Sequence, residues 1–209
     1  MLKRHIVFNV RKKKFNVKFN YKILVFFTLM LCGCILGAHI SENLPLQIQE
    51  PLKDTIADAV SSFNNENLFI TFLELFLPFF ILLLISYKTG LCGVGIPLLC
   101  LVPFFTGIIL SFVISQFRLY YGWDGVGFCA IVYLPVYATA TATLIKSCCC
   151  SFDISSEIFI FLATSKGDGG ALLKEHTLKH IVLVVPIIIS ASLGVLLYNL
   201  FGDLFSFIT

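Results

Sequence analysis

The chain has 209 residues, 58% of them hydrophobic and only 13% charged, with a formal net charge of +3 and a mean hydropathy of +0.94. A water-soluble domain of this size cannot hide so much apolar surface. The composition excludes a secreted enzyme, a cytosolic α/β protein, a disordered tail and a soluble nucleic-acid binder, and leaves an all-α, polytopic membrane helical bundle.

Residues 1–22 form a basic segment in which Lys3, Arg4, Arg11, Lys12, Lys13, Lys14, Lys18 and Lys22 alternate with apolar side chains. A juxtamembrane cluster of this kind reads as a topology signal lying on anionic lipid rather than as a nucleic-acid grip. The apolar run that follows, at about 23–40, contains Leu31-Cys32-Gly33-Cys34, which resembles a lipoprotein cleavage pattern. The long basic leader and the later apolar runs favour an uncleaved first helix.

An outer loop, 41–67, comes next. If Pro51 occupies a first helical turn, Leu52, Ile56, Val60 and Phe63 fall on one face, with Lys53, Asp54 and Asp58 turned away. These four residues are the candidate docking face of a short amphipathic helix that rests on the bilayer or on a partner.

Four further spans are expected at about 68–86, 91–115, 125–145 and 181–201, making five with the first. Tyr87-Lys88-Thr89-Gly90 and Tyr120-Tyr121-Gly122-Trp123-Asp124 mark the short turns around the middle span. Small residues at 138–143 in the fourth span permit close backbone approach. Gly93, Gly95, Pro97, Pro103 and Gly107 make the third span prone to kinking, as do Pro135 and Pro186 in the fourth and fifth. A segment at 146–180 looks partly helical, with Asp153 or Ser155 as possible caps and a break at Gly167-Asp168-Gly169-Gly170. That glycine run lacks the Gly-Lys-Ser/Thr ending of a phosphate loop.

Positive charge sets the orientation. With the N-terminus cytoplasmic, thirteen of the fifteen basic residues lie inside and only Lys53 and Arg118 outside. Five spans then leave the C-terminus extracytoplasmic.

Among ionisable residues, Glu74 lies well inside a span, with His39 and Arg118 at comparable depth. An intramembrane acid is a functional candidate. The three form a candidate polar cluster, read as a clasp between helices, since one carboxylate without a second acid makes no proton relay. Most of the eight cysteines fall in or beside spans and behave as small hydrophobes. Three consecutive residues, Cys148, Cys149 and Cys150, cannot easily surround one zinc, so no metal or cofactor is expected. No nucleophile–base set or paired carboxylates mark the outer face, so no catalytic residue is assigned.

The order of features from the second span onward carries a resemblance. Gly93-Val94-Gly95-Ile96-Pro97-Leu98, Phe105-Thr106-Gly107-Ile108-Ile109-Leu110-Ser111-Phe112, Tyr121-Gly122-Trp123-Asp124-Gly125, Tyr133-Leu134-Pro135 and Leu173-Lys174-Glu175-His176-Thr177 together resemble the stage II sporulation protein M family of bacterial membrane proteins. The resemblance covers most of the chain. It departs where the family often has Gln-Asn after its Leu-Pro pair and this chain has Val136-Tyr137, and again around Leu197-Tyr198-Asn199-Leu200-Phe201. What it implies is a non-enzymatic scaffold at the sporulation septum or engulfing membrane. There it would recruit two peptidoglycan-degrading partners, sporulation proteins D and P, for wall remodelling during engulfment. The other expectation the residues allow is a membrane subunit of a transporter working with a separate ATPase, drawing on Glu74 and the Pro/Gly-broken third span.

Overall fold

The computed structural model describes residues 21–63, 68–93, 95–164, 169–201 and 204–205. Residues 1–20 of the expected basic segment 1–22, and Gly167 and Asp168 of the expected break, lie outside the described residues, while Gly169 and Gly170 of that break are helical. Among the described residues six helices follow one another: α1 (Tyr21–Glu42), α2 (Leu46–Phe63), α3 (Leu68–Gly90), α4 (Ile96–Phe128), α5 (Leu134–Thr164) and α6 (Gly169–Phe201). A π-helical turn, Cys129–Tyr133, joins α4 to α5, and no strand occurs among the described residues.

Among the described residues four helical runs are long and apolar enough to cross a membrane, and one of them, Ile96–Ile160, is 65 residues long. At ~1.5 Å per residue that run is about three times the hydrocarbon thickness. It doubles back at Gly122, whose φ of 62° and ψ of −138° break the helix. The flanking segments then pair antiparallel. Phe117 stacks on Phe128 at 5.6 Å between ring centres, Leu99 and Val102 share a cluster with Ile145 and Cys148, and the Ser155 hydroxyl donates to the Cys92 carbonyl at 2.7 Å. The 65-residue run therefore makes two passes, and the bundle has five.

Several boundaries differ from expectation. α3 continues through Tyr87–Gly90, where the turn was expected, and α4 starts at Ile96 rather than at 91, after a turn closed by Gly95 N–H donating to the Cys92 carbonyl at 2.9 Å. A Cβ on Gly95 would lie 1.9 Å from the Thr89 carbonyl oxygen, so the turn admits no larger residue. α2 begins at Leu46, which puts Pro51 inside the helix rather than in its first turn. The carbonyl that Pro51 leaves without an amide donor is that of Gln47, and both residues are exposed, where water can serve it. Finally, α5 runs through Asp153 and Ser155 to Thr164, so these two are mid-helix and not caps.

The bundle has two layers of contact. α1 lies on α4 and runs parallel to it: Gly33 sits against Phe104, Gly37 against Ile108, and Ser41 against Gln116. α3, α5 and α6 form the other group around Phe79, Leu83, Ala140, Leu144 and Ile187. Ala140, from the small-residue stretch of α5, is fully buried there. Beside it, the Thr139 and Ser190 hydroxyls lie 2.7 Å apart across α5 and α6. Lys22, Lys88, Lys146, Lys174 and Lys179 fall at one end of the bundle, the basic rim. At the opposite rim Phe117, Phe128, Cys129, Val132 and Phe205 form an aromatic-rich cluster.

Candidate functional site

At the rim away from the lysines, α2 lies across the ends of α1 and α4. The Tyr120 hydroxyl donates to the Gln49 carbonyl at 2.8 Å, and Ile56 packs on the Phe117–Phe128 cluster. Leu52 borders an apolar hollow of about 600 Å³ with His39, Ile48 and Phe112. Gln49, Leu52 and Ile56 are half-buried, whereas Glu50, Lys53 and Asp54 are exposed. The face carrying Leu52 and Ile56 is thus partly occupied by the chain's own bundle, and the polar face points away. The side chains of Val60, Phe63 and Asp58 lie outside the described residues.

His39, Arg118 and Glu74 occupy three separate surroundings. The Asn43 amide lies 3.2 Å from His39 Nδ1, on the same helix. Arg118 stacks over Trp123, 5.9 Å from the ring centre, and borders a polar hollow of about 370 Å³ with Ser41, Glu42 and Gln49. Beneath that hollow the buried Gln116 amide donates to the Ser41 hydroxyl at 2.7 Å, and its Oε1 has no partner among the described residues. Glu74 is exposed on α3, within electrostatic reach of Tyr133 in the π-helical turn.

The densest polar cluster lies elsewhere, near the basic rim. Ser147 and Ser151 on α5, and His176 and His180 on α6, are each spaced by four, so each pair shares a helix face. Ser86 of α3 closes the cluster. Its Oγ lies 2.8 Å from Ser147 Oγ and 3.3 Å from Ser151 Oγ. His180 Nδ1 faces the His176 carbonyl at 3.1 Å. A carbonyl only accepts, so that nitrogen carries the proton and Nε2 is the acceptor. The Ser147 and Ser151 hydroxyls, 2.9 and 3.2 Å from Nε2, are its donors. By the same logic His176 Nε2–H donates to the Tyr87 carbonyl at 3.2 Å. Its Nδ1 is a buried acceptor with no partner among the described residues. The Tyr87 ring stacks on His176 at 4.9 Å and 9°.

Room for this comes from Gly90, where a Cβ would lie 2.8 Å from Ser151 Cβ and 3.0 Å from His176 Cε1. Serine, imidazole and carbonyl here follow the order of a nucleophile, its base and an orienting group. Ser86, Ser147, Ser151 and His176 are nevertheless fully buried, so the arrangement acts as a clasp joining three helices. Cys148 and Cys149 are buried thiols beside it, and Cys148 lies within 3.8 Å of the Ser86 hydroxyl. Among the described residues no three His, Cys, Asp or Glu side chains converge as a metal-ligand set.

Sequence reasoning passed over the clasp. Its signal was the pair of four-residue spacings, Ser147 with Ser151 and His176 with His180, on otherwise apolar helices. No family model, no characterised protein and no solved structure matches the chain.

Proposed function

We propose that the protein is a non-enzymatic integral membrane scaffold, in which the five-pass bundle is the anchor and α2 is the platform offered to a partner outside the membrane. The observation that carries this reading is the way α2 is held. The bond from Tyr120 and the packing of Ile56 fix one face of the helix on the bundle. A helix held on one face presents Glu50, Lys53 and Asp54 in one place, which lowers the ordering cost of docking. Leu52 and Ile56 then act by positioning α2, and the partner meets the polar face.

In its narrowest form, drawn from the resemblance to stage II sporulation protein M, the partners are the wall-degrading sporulation proteins D and P. The site would be the septal or engulfing membrane of an endospore-forming bacterium, with the basic rim cytoplasmic.

The test is photo-crosslinking from position 53 in intact cells, followed by mass spectrometry of what is captured. Recovery of peptidoglycan hydrolases, lost when Leu52, Ile56, Val60 and Phe63 are all replaced by Ser, is the expected result. Recovery of an ATPase without hydrolases, together with loss of activity in Glu74→Gln, would instead establish a transporter subunit. Glu74 beside a π-helical turn is the feature that favours this second reading, because such turns recur at functional sites.

A further inference from the structure

A groove of about 260 Å³ runs between α3 and α6 where the two helices reach the basic rim. Phe80, Leu83, Leu84, Ile181 and Val184 line most of it. From Phe80 to Tyr87 it follows α3 for seven residues, about 10 Å of helix rise. Leu84 and Ile181, 44% and 59% exposed, leave its side open in the same direction as the other outward-facing apolar residues of these helices. That is the surface a bilayer covers.

The rim end has different chemistry. Thr177 donates its hydroxyl to the Leu173 carbonyl at 2.9 Å. The Tyr87 hydroxyl, 3.1 Å from Thr177 Oγ1, is therefore the donor of that pair and is able to turn toward another acceptor. The Tyr87 ring cannot drift, because it is stacked on His176 and meets the edge of His180 at 5.3 Å. Two lysines stand at this end. Lys88 Nζ lies 6.0 Å from the centre of the Tyr87 ring, and Lys174 stands one turn before Thr177 on the same face of α6. Both lysines are exposed, and neither has an ion-pair partner among the described residues. The neighbouring Glu175 is committed to Lys179 at 2.7 Å.

We infer that this groove binds one acidic phospholipid of the adjacent leaflet, with an acyl chain between α3 and α6 and the phosphate held by Lys88, Lys174 and the Tyr87 hydroxyl. An apolar slot as long as part of one acyl chain, ending at the headgroup level in two uncommitted cations and a donor, is complementary to an anionic lipid. Basic pockets between membrane helices recognise such headgroups by the same pairing. A zwitterionic lipid would bring its own cation into the lysines and gain less. A second copy of this chain would have to bring an anionic group to the same rim.

The full chain in mild detergent, titrated with phosphatidylglycerol or phosphatidylcholine and read by native mass spectrometry, tests this. One tightly held phosphatidylglycerol is expected, in preference to phosphatidylcholine. Lys88→Ala and Lys174→Ala should each weaken it roughly fivefold, and the pair on the order of 30-fold. Because both lysines are exposed, these variants leave the packing intact, and an unchanged unfolding midpoint in plain detergent checks that. Val184→Trp, which fills the groove, should abolish the adduct. Equal affinity for the two lipids, no change in the double lysine variant, or soluble glycerol phosphate binding as well as the lipid would each overturn the proposal. So would a dimer that buries α3 and α6 and carries no lipid.

Discussion

Two helix seams of this bundle do the same task by opposite means. Where α1 meets α4, Gly33, Gly37 and Gly107 bring backbone against backbone. A Cβ at these positions would lie 2.1, 2.3 and 2.1 Å from the carbonyl oxygens of Phe104, Ile108 and Met30. Where α3, α5 and α6 meet near the basic rim, hydroxyls and imidazoles span the gap with bonds of 2.8 to 3.3 Å. Between membrane helices lipid is as apolar as leucine, so association rests on close packing and interhelical hydrogen bonds. The first seam rests on the former along most of its length, with one bond at its far end, from the Gln116 amide to the Ser41 hydroxyl at 2.7 Å, whereas the second is built around the latter. A shape-based seam fails when one carbon is added, whereas a bonded seam fails when one partner is removed.

The largest effect expected from breaking this contrast is at α1. Gly37→Ala should cost roughly 3 kcal/mol, the upper end for overpacking a closed interface, because backbone is the obstacle and cannot rotate away. Steric trapping or detergent-unfolding midpoints measure it. Gly194→Ala is the matched control. Its Cβ would meet the Leu75 Cδ1 atom at 2.5 Å and Val136 Cγ2 at 3.0 Å, side chains and not backbone, of which the leucine can change rotamer, so a loss of about 1 kcal/mol is expected. Equal losses at Gly37 and Gly194 would show that glycine at the first seam is not there for backbone approach.

Next in size is the reversal. Gly122 has open space around its missing Cβ, so packing does not demand glycine. Its φ of 62° with ψ of −138° does. Gly122→Ala should cost about 2 kcal/mol through backbone strain alone. A Gly122→Ala variant as stable as the parent would mean that the two passes turn elsewhere.

The bonded seam should respond less. Ser147→Ala removes the shorter of the two donors to His180 Nε2 and leaves Ser151 at 3.2 Å. A loss of about 1 kcal/mol is expected, in the range that double-mutant cycles give for membrane hydrogen bonds. Combining it with Ser86→Ala should be less than additive, since the two hydroxyls bond each other at 2.8 Å. Strict additivity would dissolve the clasp into independent contacts.

How much of this was legible in the sequence follows from the kind of signal each feature leaves. The spans were readable because length and hydropathy are summed over about twenty residues. The reversal at Gly122 was readable because glycine punctuates an apolar run, whereas the turn expected at Tyr87–Gly90 comes only after α3 has run through those residues. The start of α2 was misread at Pro51, since a proline on a solvated face is tolerated inside a helix. Which face of α1 packs left no periodic trace, because both lipid and neighbour are apolar. Only the Gly33–Gly37 spacing of four encoded it. Glu74 drew notice as a lone charge, while the clasp stayed hidden because serine and histidine are individually unremarkable until three helices bring them together.

The smallest effect concerns a third seam, between α1 and α5, where Phe26 packs edge-on against Phe152 and a charge pair is added. Lys22 pairs with Asp153, and its ammonium sits 4.9 Å from the centre of the Phe152 ring. The two side chains are 21% and 49% exposed, so solvent competes for both charges. An ion pair of that kind contributes about 1 kcal/mol or less and weakens as salt is added. Lys22→Met keeps the stem over Phe152 and removes only the charge, so it should cost less than Ser147→Ala. The difference from the parent should vanish in high salt. If Lys22→Met proved costlier than Ser147→Ala at every salt concentration, the charge would be anchoring α1 at the rim, and the glycine seam alone would not account for how α1 is held.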